Sequence, residues 1–121
     1  MQPKILTCMI PSNELLKGKF IHQVYFWLEE PENKEDINAL EEGLKKLISI
    51  PAILHCHIGV PAETRREVID SSFSISWLAI FSTAHDQDIY QEHPIHLDFV
   101  THCSHLWKKV LVFDSTGIAD Q

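Results

Sequence analysis

The 121-residue sequence predicts an α+β domain with the element order β-α-β-β-α-β, and three observations carry that prediction. Apolar residues recur at the strand period in some segments and at the helical period in others. Gly and Pro stand where one period gives way to the next. A hydrophobic content of 45% is enough to fill one core without disulfide or metal staples.

Met1 to Lys19 has no sustained periodicity and contains Pro11, Ser12, Asn13 and Gly18. It is expected to be an N-terminal extension, residues 1–19, ahead of a domain at 20–117 and a tail at 118–121. Phe20 to Leu28 is rich in aromatic and β-branched residues, with apolar side chains on both alternating faces except at His22 and Gln23. This predicts a strand covered on two sides. From Asn33 to Ile48 the period changes: Ile37, Leu40, Leu44, Leu47 and Ile48 form one helical stripe, while Glu41, Glu42, Lys45 and Lys46 face water. Pro51 ends that helix. Ala52 to Val60 predicts a second strand with Ile53, His55 and His57 on one side and Leu54, Cys56 and Ile58 on the other. Gly59 and Pro61 open a polar connection to Asp70.

Ser72 to Phe81 predicts a third strand, with Phe73, Ile75, Trp77, Ala79 and Phe81 on one face. Thr83 to Trp107 predicts a helical region interrupted at Pro94. Lys109 to Asp114 predicts a short apolar strand, and Gly117 a frayed end. With right-handed crossovers this order is ferredoxin-like: an antiparallel four-stranded sheet carrying both helical regions on one face. The other sheet face is then apolar and uncovered, so a second copy is the expected partner, two sheets facing each other as a dimeric barrel.

Seventeen acidic against ten basic residues give a formal charge of -7, and the bases never run beyond adjacent pairs. Nucleic acid is excluded as a partner on those grounds, because phosphate binding needs a concentrated positive footprint. The acids between Glu29 and Glu42, with Lys34 as the only base among them, oppose membranes and polyanions. Cys8, Cys56 and Cys103 include no close pair, as expected of reduced thiols in a cytoplasmic protein. Ile5 to Ile10 is too short an apolar run for a signal-peptide core, and nothing approaches a membrane span.

The chemistry concentrates in Tyr90-Gln91-Glu92-His93-Pro94-Ile95-His96. A phenol and two imidazoles within seven residues offer proton donors and acceptors near neutral pH. Pro94 fits the first turn of a helix, so His93 should close one short helix or cap the next, with His96 inside the second. Elsewhere, His55 with His57 and His102, Cys103 with His105 have neither CxxC nor HExxH spacing, and no metal is expected. No serine-nucleophile motif, phosphate loop or dinucleotide fingerprint is present, so no cofactor is expected either. Arg65-Arg66 reads as a solvated loop that could also meet an anionic group. Trp27, Trp77 and Trp107 read as packing residues that could wall a ligand cavity.

His22 early in the first strand, Ile50-Pro51-Ala52 leading to Gly59, Tyr90 with His93-Pro94-Ile95-His96, and Val112-Phe113-Asp114 occur together and in order. In this the chain resembles the stress-responsive dimeric α/β barrel family, Dabb, over roughly Phe20 to Gly117. The resemblance implies a ferredoxin-like protomer, a homodimer with a shared barrel, and in some relatives small-molecule chemistry such as polyketide cyclisation. Tyr90 and His96 match the tyrosine and histidine that cyclase-like members use, and His22 matches a pocket-lining histidine. Ile75 departs from the pattern where such members place a further polar residue. The resulting expectation is a site with His96 and Tyr90 as catalytic candidates and His22, His93 and Trp77 as ligand contacts. Its ligand would be an apolar or carbonyl-bearing small molecule. The competing expectation is a stress-associated structural protein without a ligand.

Overall fold

In the computed structural model, residues 13–119 are described. The apolar run Ile5 to Ile10, Cys8 and most of the expected extension lie outside the described residues, as do residues 120–121. The elements follow the expected order: β1 (Phe20–Leu28), α1 (Lys34–Leu47), β2 (His55–Gly59), β3 (Ile75–Phe81), α2 (Ala84–Glu92), α3 (Pro94–Cys103), a 3-10 turn (Ser104–Leu106) and β4 (Trp107–Thr116). The strands form one antiparallel sheet in the order β2-β3-β1-β4, the ferredoxin-like arrangement.

Alternation assigns the two faces. Along β1, His22, Val24, Phe26 and Leu28 are buried, and along β3 Ile75, Trp77, Ala79 and Phe81 are buried. Pairing of Val24 with Trp77 on one side and Val112 on the other puts these residues on the helix-covered face. Leu40, Leu44 and Leu47 of α1 and Phe99 and Cys103 of α3 complete the core. Truncation of such a leucine typically costs about 2–5 kcal/mol. Gly43 lets α1 and α3 approach closely, since a Cβ there would meet Cys103 Sγ at 2.6 Å and Phe99 Cδ1 at 3.1 Å.

Helix ends follow from local chemistry. Asn33 caps α1 by accepting from the Asp36 N–H at 3.0 Å, with Glu35 and Asp36 in the first turn and Lys45 and Lys46 in the last, matching the helix dipole. Thr83 caps α2 through the Asp86 N–H at 3.2 Å.

Several sequence expectations shift. β2 begins at His55 rather than Ala52, and β3 at Ile75 rather than Ser72. Ser74 instead ties to β1: its N–H donates to the Phe26 carbonyl and its hydroxyl accepts from the Leu28 N–H. Phe73 therefore leaves the Trp77 face and packs edge-on against Tyr25, ring centroids 5.1 Å apart, on the open side. Trp107 belongs to β4 rather than to the helical region, and its ring stacks on Phe99 at 5.8 Å. Gly117 is not frayed. Its N–H donates to the Lys19 carbonyl at 2.8 Å and its carbonyl accepts from Gly18 at 3.2 Å.

Candidate functional site

β1, β3, β4 and all three helices line a partly open cavity of about 200 Å³ between the sheet and the helices. His22, Tyr90 and His96 line it together with Trp77, Phe99 and Val112. All three polar residues are buried. The Tyr90 ring lies 5.7 Å from that of His22 and 4.8 Å from that of His96, centroid to centroid.

The break at Pro94 creates this arrangement. Tyr90 and His96 are six positions apart, which on an unbroken helix would place them about 120° apart around the axis. His93 has an extended backbone, as the residue before proline prefers, and it ends α2 while capping α3. Its Nδ1 accepts from the Ile95 N–H at 3.1 Å. The change of helix direction brings His96 back beside Tyr90. The same geometry makes His93 a capping residue, and it is not among the residues that line the cavity.

Each side chain meets a different environment. The Trp77 indole N–H donates to the Tyr90 hydroxyl at 3.1 Å. Burial pushes the phenol well above its ordinary range, an effect the Trp77 bond only partly offsets. Tyr90 therefore stays protonated near neutral pH. Burial holds the His96 imidazole below its ordinary 6.5, the approach of the Gln91 backbone opposes this at a geometry short of a full hydrogen bond to Nδ1, and the neighbouring His22 adds to the lowering. His96 Nδ1 is thus a buried ring nitrogen without a hydrogen-bond partner. Buried polar atoms are rarely left so. His22 Nδ1 lies 2.6 Å from Asp114 Oδ1, whose side chain is 42% exposed, so the pair reaches from the cavity wall towards solvent.

Asp114 is the residue that sequence reasoning did not place. It stands opposite His22 in the β1–β4 register, and that register is set by folding rather than by spacing. The other imidazoles lie apart: His55 and His57 are exposed on the open sheet side, and His102 Nδ1 donates to the Asp98 carbonyl at 2.7 Å. Among the described residues no three His, Cys, Asp or Glu side chains converge as a metal site requires. Burial raises the thiols of Cys56 and Cys103 above their ordinary value, which makes them poor nucleophiles. No helix among the described residues is long and apolar enough to cross a membrane.

A larger concavity, about 720 Å³, lies on the opposite face of the sheet. Tyr25, Trp27, Leu78, Leu111 and Phe113 line it together with residues of the 60–73 connection. Among the described residues it is not lined by a cluster of buried polar groups.

A ferredoxin-like protomer with a histidine- and tyrosine-lined cavity between sheet and helices is the class that this geometry defines. The chain belongs to the Dabb family, the stress-responsive A/B barrel domain, which matches residues 20–116. A Dabb protein of ferredoxin-like fold from Mesorhizobium loti superposes with a TM-score of 0.69 at 22% identity, over 85% of this chain and 100% of its own. A hydroxynitrile lyase from Passiflora edulis gives 0.69 at 16% identity, over 81% and 92%. A dimeric ferredoxin-like protein of unknown function from Thermobifida fusca gives 0.67 at 13% identity, over 87% and 96%. At these identities the likeness establishes the fold. No curated protein matches the chain.

Proposed function

We propose that this protein is a cytoplasmic homodimer that binds a small apolar or carbonyl-bearing molecule in the cavity between sheet and helices, and that it carries out proton transfer there of the cyclase or lyase type. The observation that carries the reading is His96: a buried, neutral imidazole with an unpartnered nitrogen, lining a cavity beside a protonated phenol. A neutral imidazole is a competent base at neutral pH. His96 removes a proton from the bound molecule, Tyr90 donates to the oxygen on which charge develops, and the His22–Asp114 pair orients the ligand or relays the proton towards solvent. Positioned groups of this kind each supply factors of about 10² to 10⁴.

Cavity size limits the ligand. About 200 Å³ is below the ~300 Å³ at which drug-sized pockets begin, so a compact molecule is the expected occupant. The hydroxynitrile lyase among the structural relatives is consistent with small-molecule chemistry on this fold. Homodimer formation is supported by the apolar open sheet face, where Leu111 and Phe113 are 39% and 56% exposed, and by relatives described as dimeric.

A thermal-shift panel of small ketones, aromatics and short acyl compounds tests the binding reading. Saturable stabilisation by a carbonyl compound, lost in His96→Ala or Tyr90→Phe, is the expected result. The modest volume favours a second reading, a stress-associated structural protein without a ligand, which predicts no stabilisation by any member of the panel.

A further inference from the structure

The hydrogen bond between Trp77 and Tyr90 has a definite direction. An indole N–H only donates, so the phenol oxygen is the acceptor in the 3.1 Å contact. Conjugation of one oxygen lone pair with the ring leaves a phenol one good in-plane acceptor direction beside its O–H. The indole occupies the first, and among the described residues no group accepts from the second. Trp77 is 1% exposed and pairs through β3 with Val24 of β1, so a central strand holds its position. The cavity thus contains a phenol donor without an acceptor and, 4.8 Å away between ring centroids, an imidazole whose Nδ1 has no partner.

We propose that Trp77 is a positioning residue that fixes Tyr90 as a hydrogen-bond donor, so that the cavity selects molecules presenting an acceptor oxygen to Tyr90 over isosteric molecules that lack one. This assignment rests on the binding function proposed for the same cavity and narrows it. Without the indole bond, the phenol could rotate its O–H away from the cavity or accept from a ligand hydroxyl. With it, a carbonyl oxygen is the complementary group. Burial keeps the phenol protonated and the imidazole neutral, the pairing a carbonyl with an acidic neighbouring C–H needs.

The test uses two probes of one shape: acetophenone, and α-methylstyrene, in which CH₂ replaces the carbonyl oxygen. Affinities are measured for the wild type, for Trp77→Phe, for the chain carrying benzothienylalanine at position 77, which keeps the indole outline without its N–H, and for Tyr90→Phe. The ratio of the two affinities cancels any change in cavity volume. In the wild type acetophenone should bind about tenfold more tightly, as a neutral hydrogen bond allows, with a carbonyl stretch shifted to lower frequency. Both position-77 variants should lower that ratio about fivefold and shift the stretch back, and Tyr90→Phe should abolish the preference. A wild-type ratio and stretch retained in the folded position-77 variants would overturn the role of Trp77. Equal wild-type affinities would overturn acceptor selection while leaving the cavity as a binding site. Failure of both probes to bind the wild type would remove the binding function itself, and with it this inference.

Discussion

His96 is where burial and chemistry meet, and its titration makes the most specific residue-scale prediction. Its folded-state value lies below 6.5, so the unfolded chain binds the extra proton first as pH falls. Its contribution to stability is complete above pH 6.5 and is lost as pH drops from there through the folded value. The difference in unfolding free energy between wild type and His96→Gln should therefore narrow on acidification across that window. A constant difference would show that His96 does not titrate as a buried neutral base. Activity on any substrate found should fall on the same acid side. Ionisation of Tyr90, pushed up by burial, should leave the rate untouched at moderately alkaline pH. His96→Ala should lower kcat by about 10² or more while the fold survives, and an unchanged rate would remove the imidazole from the mechanism.

At the scale of elements, the Pro94 break is the device that builds the site. Pro94→Ala restores a backbone N–H and lets α2 and α3 merge, which would turn His96 away from Tyr90. The expected outcome is a loss of ligand affinity out of proportion to any change in unfolding free energy; the reverse pattern would mean that the break serves stability alone. At the N-terminus of α1, Asn33→Ala should cost about 1 kcal/mol in chemical denaturation, the usual worth of such a cap. Much of this was legible in the sequence. Alternating apolar residues marked the strands, a single apolar stripe marked α1, and the proline announced that Tyr90 and His96 sit on different helices. What was not legible depends on contacts distant in the chain. The pairing of His22 with Asp114 requires the β1–β4 register. The reversal of Phe73 requires Ser74 to bond across to β1 rather than continue β3. The cap at His93, by contrast, was readable from Pro94 alone, and its Nδ1 accepts from the Ile95 N–H two residues on.

For the whole molecule, the open sheet face is the proposed dimer interface. Tyr25, Trp27, Leu78, Leu111 and Phe113 present an aromatic and aliphatic surface that one protomer leaves partly exposed, with Lys109 Nζ 4.5 Å above the Trp27 ring at its margin. Light scattering at micromolar concentration should give twice the chain mass. Phe113→Glu, which puts a charge in the middle of that face, should shift the population to monomer while leaving the helix-side core intact. A wild-type protein that stays monomeric would refute the homodimer.

Under the proposed function, ligand enters the cavity of Tyr90 and His96 and not the larger concavity across the sheet. Titration of histidine- and tyrosine-labelled protein with acetophenone, followed by NMR, separates the two directly. Saturable shifts are expected at His22, Tyr90 and His96 with His57 and Tyr25 unmoved; saturable shifts confined to His57 and Tyr25, or none at any of the five, would refute binding between sheet and helices.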